Sequence, residues 1–160
     1  MLQAYPVVEV ENAYFEFVTK GGIKYAAYFV DYGFMFSEYP EFSSNIYSFN
    51  IDVIETESDI LALDERTGFT IFKIIEGFFK KIDNVVIYVC DNIDKRHLAR
   101  KRKFDVWFLK YNDGTILKED GIATIEGAEI LNSILIHKNN PKRLKIISAF
   151  NQLNLNAGEK

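Results

Sequence analysis

The chain has 160 residues, 48% of them hydrophobic, 26% charged and 15% aromatic, which predicts one soluble domain over residues 1–160 with room for a proper core. The single cysteine, Cys90, excludes an internal disulfide framework. No apolar run approaches the ~20 residues that span a bilayer, and the first residues lack a basic stretch followed by an apolar one, so a cytoplasmic location is expected. The net charge of −4 conceals a split: residues 1–65 hold 2 basic and 12 acidic side chains, a net of −10, and residues 66–160 hold 17 basic and 11 acidic ones, a net of +6. The halves either neutralise each other, within the fold or across a dimer, or the second half meets a polyanion that the first half repels.

Residues 13–19 and 23–30 read as strands around the turn pair Gly21-Gly22. A two-residue turn there predicts Phe15 opposite Tyr28 and Phe17 opposite Ala26, pairs worth about 0.2–1 kcal/mol each. The following stretch, with Tyr32, Phe34, Phe36, Tyr39 and Phe42, carries more aromatic rings than one core between two strands takes up. It is a candidate partner or homodimer interface, or else a loop folded over an open sheet end. Tyr47, Phe49, Ile51 and Val53 alternate with Ser48, Asn50 and Asp52, a strand with one buried face. An acidic loop, 55–65, comes next. A helix over residues 66–82 is predicted from the three- and four-residue spacing of Ile71, Phe72, Ile75, Phe78, Phe79 and Ile82. Asp64 serves as its N-cap, and Lys80 and Lys81 suit its C-terminal dipole.

Residues 85–90 do not alternate and are rich in β-branched side chains, the pattern of a central strand. A second helix is expected over residues 94–111, ended by Asn112-Asp113-Gly114. Short strands at 115–118 and 122–126 and a longer one at 129–137 follow. Asn140 as N-cap and Pro141 as first helical residue open a last helix with an apolar stripe of Leu144, Ile147, Phe150 and Leu153. The tail, 154–160, is expected to fray. The implied fold is α+β: a mixed, largely antiparallel sheet of about five or six strands, two main helices packed on one face, and a C-terminal helix.

Several site motifs are absent. There is no phosphate-binding Gly-rich loop with Gly-Lys-Ser/Thr, no G-x-G-x-x-G, no nucleophile elbow and no H-E-x-x-H. With one cysteine, and His97 and His137 on separate elements, no Cys/His zinc site is expected. No metal and no cofactor are predicted.

What remains is the cationic second helix. On a wheel of about 100° per residue, His97, Phe104, Trp107, Phe108 and Tyr111 share a face, Arg100 borders it, and Lys95, Arg96, Arg102 and Lys103 lie opposite. Lys95 and Arg96 oppose the helix dipole at roughly 0.3–1 kcal/mol each, which an anionic partner or an intramolecular acid would offset. Arg96, Arg102 and Lys103 are therefore candidates for nucleic-acid or phosphoryl-ligand binding. Arg100 needs a carboxylate, and Asp91 at the end of the central strand is the expected one, as a clamp. Asp91 also stands where open sheets bind ligands, at a strand's carboxyl end beside a helix start. An enzyme around Cys90, Asp91 and His97 would require a reactive Cys90, against the ordinary case of a buried inert thiol.

The residues Tyr14, Gly22-x-x-Tyr25, Thr70-Ile71, Ile74-Ile75, Phe78-Phe79, Cys90-Asp91, Ala99-Arg100, Phe104-x-x-Trp107-Phe108, Leu135-x-His137, Asn140-Pro141 and Phe150 form a pattern. It resembles a family of small bacterial proteins of unknown function, mainly from Bacteroidota. The resemblance implies a stand-alone domain and brings no activity, ligand or catalytic residue. The resulting expectation is a cytoplasmic binding domain acting on a protein partner or on itself. Nucleic-acid or phosphoryl-ligand binding and an enzyme at Cys90 are the alternatives, and no membrane association is expected.

Overall fold

A computed structural model describes residues 2–56, 64–90 and 97–157. Along them lie β1 (Val8–Glu11), β2 (Tyr14–Val18), β3 (Lys24–Asp31), β4 (Ile46–Glu55), α1 (Glu65–Phe78), β5 (Val85–Cys90), α2 (His97–Tyr111), β6 (Ile116–Ile125), β7 (Ala128–His137) and α3 (Arg143–Asn156). The strands form one mixed sheet in the order β1-β2-β3-β4-β5-β7-β6. The β4–β5 pair is parallel and every other neighbouring pair is antiparallel. This is the α+β architecture expected, with seven strands rather than five or six. The added strand, β1, has four residues, all exposed, and so shows no buried-face alternation to read.

The first hairpin closes differently from the expectation. Thr19 and Ile23 bond across a three-residue loop whose last member, Gly22, has φ 83°. Phe15 therefore faces Ala27 and Phe17 faces Tyr25, not Tyr28 and Ala26. One extra loop residue shifts every pair by one position. It brings Phe17 and Tyr25 into a stack with ring centroids 5.4 Å apart.

Asp64 does cap α1, its carboxylate accepting from the Thr67 backbone N–H at 2.7 Å. The helix stops at Phe78 rather than at residue 82. Buried Asn84 donates to the Phe78 carbonyl at 2.9 Å, which satisfies the helix end early and leaves Lys80, Lys81 and Ile82 beyond it at the surface. Residues 94–96, where the second helix was expected to begin, lie outside the described residues. From Phe104 onward the expected face holds: Phe104 is buried, and Trp107, Phe108 and Tyr111 pack on the same core as α1. Asn112 ends α2, its side chain bonding Gly114 and Ile116, and Gly114 adopts φ 92°.

The two short strands expected at 115–118 and 122–126 are one, β6. It turns into β7 through Glu126-Gly127 (φ 52° and 80°), a two-residue turn of the kind that matches strand twist. Helix α3 begins at Arg143, not at Pro141. Asn140 still accepts from the Lys142 N–H at 2.9 Å, but it closes a separate turn ahead of the helix. The buried stripe of α3 is Ile146, Ala149 and Phe150, whereas Leu144 is 76% exposed. The helix phase is set by Gly121, where Phe150 and Asn154 press on the bare backbone. Residues 154–156 stay helical for the same reason: Asn154 and Asn132 exchange side-chain hydrogen bonds at 2.7 and 3.1 Å.

The core has two layers, one on each side of the sheet. On the α1/α2 face lie Phe17, Tyr25, Phe29, Phe49, Val86 and Leu135 with the inner faces of both helices. On the α3 face lie Ile46, Val85, Ile87, Ile134 and Ile136 with Phe36, Phe42, Ile146 and Phe150. Strand β5 feeds both, as a central strand does. No described helix is long and apolar enough to cross a membrane.

Candidate functional site

Among the described residues, strands β4 and β5 pair only at Ile46–Val85, Tyr47–Val86 and Ser48–Ile87. Beyond that point β4 continues alongside β3 to Glu55, and β5 continues alongside β7 to Cys90. Eight pairs hold β4 to β3 and six hold β5 to β7, against three between them. Sheet twist is therefore relieved at this seam, and the sheet opens into a fork at the carboxyl ends of its two parallel strands.

The α2 side of the fork is aromatic. Phe49 of β4 and Tyr88 of β5 face each other across it, ring centroids 6.4 Å apart, and Phe104 of α2 stacks on Tyr88 at 4.2 Å. Tyr88 and Cys90, two residues apart on one strand face, hydrogen-bond each other. Burial pushes the Tyr88 hydroxyl up and does the same to the Cys90 thiol. Arg100 lies near both groups and favours their anionic forms, but burial outweighs it. A buried thiol held in its neutral form is the inert case, not the activated nucleophile.

Beside the fork, α2 is tied to the sheet by a charge cluster. Lys101 contacts Asp105 at 2.7 Å and Asp120 at 3.2 Å, and Lys118 contacts Asp105 at 2.7 Å and also Asp120. Ser133 donates to Asp120 at 2.7 Å. Partial burial disfavours the Asp120 carboxylate, but bonds from Lys118, Ser133 and Lys101 outweigh it and hold its carboxyl down at about 2. Burial likewise disfavours the Lys101 ammonium, and Asp105 and Asp120 more than restore it, so its pKa is raised.

Of the candidates read from the sequence, Asp91 and Arg96 lie outside the described residues, as does any Asp91–Arg100 clamp. His97 is described as the first residue of α2 without its side chain. Arg100 sits beside Tyr88 and Cys90, at the fork. Arg102 and Lys103 are exposed on the outer face of α2, away from it. In the aromatic segment, Phe36 and Phe42 belong to the chain's own second core layer, at 2% and 1% exposure. Tyr32 and Tyr39 pack against that layer, and Phe34 is 69% exposed. The segment is thus mostly the loop that closes the sheet face under α3.

Sequence reasoning did not single out Lys101, Asp105, Lys118, Asp120 or Ser133. A signal existed: Lys101 and Asp105 are one helical turn apart, and Lys118 and Asp120 share a strand face. The two motifs meet only because β6 runs under α2. Among the described residues two ion pairs join the acidic and basic halves of the chain, Glu41 with Lys145 and Glu65 with Lys110, so part of the split is neutralised inside the fold. Among the described residues no cluster of His, Cys, Asp and Glu could hold a metal ion.

A family model described as a family of unknown function (DUF6169) matches residues 63–152, the span from the cap of α1 to the last turns of α3. No curated protein matches the chain.

Proposed function

This chain belongs to DUF6169, a family of unknown function, and with no activity to inherit from it we propose, from the geometry, a single binding domain that takes a small anionic ligand in the β4/β5 fork. The observation that carries the reading is the end of parallel pairing after Ser48 and Ile87. Carboxyl ends of parallel strands, beside the start of a helix, are where open sheets accommodate ligands. Tyr88, half-buried and backed by the buried rings of Phe49 and Phe104, lines the fork, and Arg100 supplies positive charge next to it. The buried, neutral Cys90 speaks for binding over nucleophilic chemistry.

The test is an amide-resolved NMR titration with inorganic phosphate, a sugar phosphate and adenosine diphosphate. Shifts should concentrate on residues 49–53 and 88–90 and weaken in Arg100→Gln. A panel that moves none of these amides, or moves only amides elsewhere, overturns the reading. Salt-sensitive binding of mixed DNA or RNA, lost on changing Arg102 and Lys103, would favour a nucleic-acid partner instead.

A second reading, a protein partner or self-association, is supported by apolar side chains that face outward. Leu98, Val106 and Leu109 are exposed on α2, Leu109 at 85%, and Phe34 stands at the surface against Tyr32 with ring centroids 5.3 Å apart. Light scattering behind size exclusion separates monomer from dimer. A monomer at all concentrations removes the self-association branch.

A further inference from the structure

Between β1 and the second half of α1 lies a groove of about 650 Å³, within the ~300–1,000 Å³ usual for small-molecule sites. Ala13, Phe15, Ile74 and Phe78 form its apolar floor, and Lys80 and Lys81 stand at the end where α1 stops. We propose that this groove binds a single-chain aliphatic carboxylate, its tail on the floor and its head at the two lysines. The site shares none of its residues with the β4/β5 fork.

The floor is built in advance. Phe78 stacks on buried Phe29 with ring centroids 3.8 Å apart, and Phe15 meets the same ring edge-on at 6.4 Å. Phe15 and Phe78 are themselves only half-buried, so apolar ring surface is left facing the groove. A hydrocarbon chain that covers this surface gains by the hydrophobic effect without rearranging the core. The groove's length selects a chain over a compact ring. Ile74 and Phe78 are one helical turn apart, about 6 Å along the axis, and the two lysines continue the line past the helix end.

Charge selects the head group. Among the described residues neither Lys80 nor Lys81 makes an ion pair or a side-chain hydrogen bond, whereas Lys73, on the same wall, is held by Glu76 at 3.1 Å. The carbonyl end of α1 favours cations, but a helix dipole sets only roughly half a negative charge against the two ammonium groups. The positive charge that remains favours an anion. Glu9 is the one acid among the lining residues, and from the β1 wall it turns the head away from itself, toward the lysines. Gly77 also lines the groove, and a β-carbon on it would meet nothing within 4 Å. A helical glycine is less stable than alanine, and no crowding requires one here. Its missing side chain leaves room for the tail beside the helix.

The test is isothermal titration calorimetry of the full chain with dodecanoate below its micelle concentration, beside acetate and dodecyltrimethylammonium. Dodecanoate should bind one per chain, acetate should give no heat, and the cation with the same tail should bind at least tenfold more weakly. The double variant Lys80→Glu/Lys81→Glu, changed at exposed positions, should bind dodecanoate at least tenfold more weakly and prefer the cation. Gly77→Leu should weaken both ligands at least tenfold and melt no lower than the parent. If it fails to fold, the lysine variant still decides. In NMR spectra, the amide shifts caused by dodecanoate should centre on residues 13–15 and 74–81. The proposal is overturned if dodecanoate does not bind, if the cation binds as tightly, or if the lysine variant binds dodecanoate as the parent does. It is equally overturned by shifts centred on residues 49–53 and 88–90, which place the ligand in the fork. Co-sedimentation with phosphatidylglycerol vesicles by a chain that binds no free dodecanoate also overturns it, because the occupant is then a bilayer surface.

Discussion

The indole of Trp107 lies across Gly68 so closely that a β-carbon on the glycine would stand 2.2 Å from its Nε1. This is the contact at which α2 settles on α1, and it fixes which side of α2 looks down on the sheet. Gly68→Ala should therefore destabilise the fold by about 1–3 kcal/mol through overpacking, against the up to ~1 kcal/mol that alanine gains in a helix interior. Urea unfolding followed by the fluorescence of this single tryptophan measures it. A stabilised variant with an unshifted emission maximum would show that the helices do not meet there.

The charge cluster gives the acid limb of stability a definite sign. Asp120 titrates at about 2 in the fold and near ~3.9 in an unfolded chain. Its contribution is complete above the unfolded value and is lost as pH falls from about 4 through about 2. Lys101 acts at the opposite extreme. Its raised pKa gives a contribution that is complete below the usual lysine value and is lost as pH rises past it. Asp120→Asn should flatten the fall of the melting midpoint between pH 4 and pH 2 while leaving its neutral-pH slope alone. Parallel acid limbs in parent and variant would refute the assignment.

Two phenylalanines eight residues apart should behave in opposite ways. Phe42 is fully buried beside Phe36 and Tyr39, and Phe42→Ala should cost about 3–5 kcal/mol. Phe34 is largely exposed, and Phe34→Ala should stay within about 0.5 kcal/mol. Chemical denaturation of both variants is decisive: comparable losses would mean that the 32–42 segment is not packed as described.

Cys90 should resist alkylation in the folded chain, because burial raises its pKa and covers its sulfur. Iodoacetamide labelling followed by mass spectrometry should proceed slowly at neutral pH and become fast in denaturant. Rapid labelling of the native chain would revive the nucleophile reading.

The amino-acid sequence by itself determined what lies within one turn or one strand. The Asp64 cap, the inner face of Phe104, Trp107 and Phe108, the Asn112–Gly114 stop and the apolar run of β5 all rest on local hydrogen bonds or on side-chain periodicity, and all are legible before any coordinates. Tertiary structure decided what depends on distant partners. The phase of α3 follows from bare backbone at Gly121, the early end of α1 from the Asn84 side chain, and the meeting of Lys101 and Asp105 with Lys118 and Asp120 from β6 passing beneath α2. The fork itself belongs to this second group. A strand's own residues specify that it is extended and which face is buried, but where it stops pairing depends on how strongly its neighbours on either side hold it.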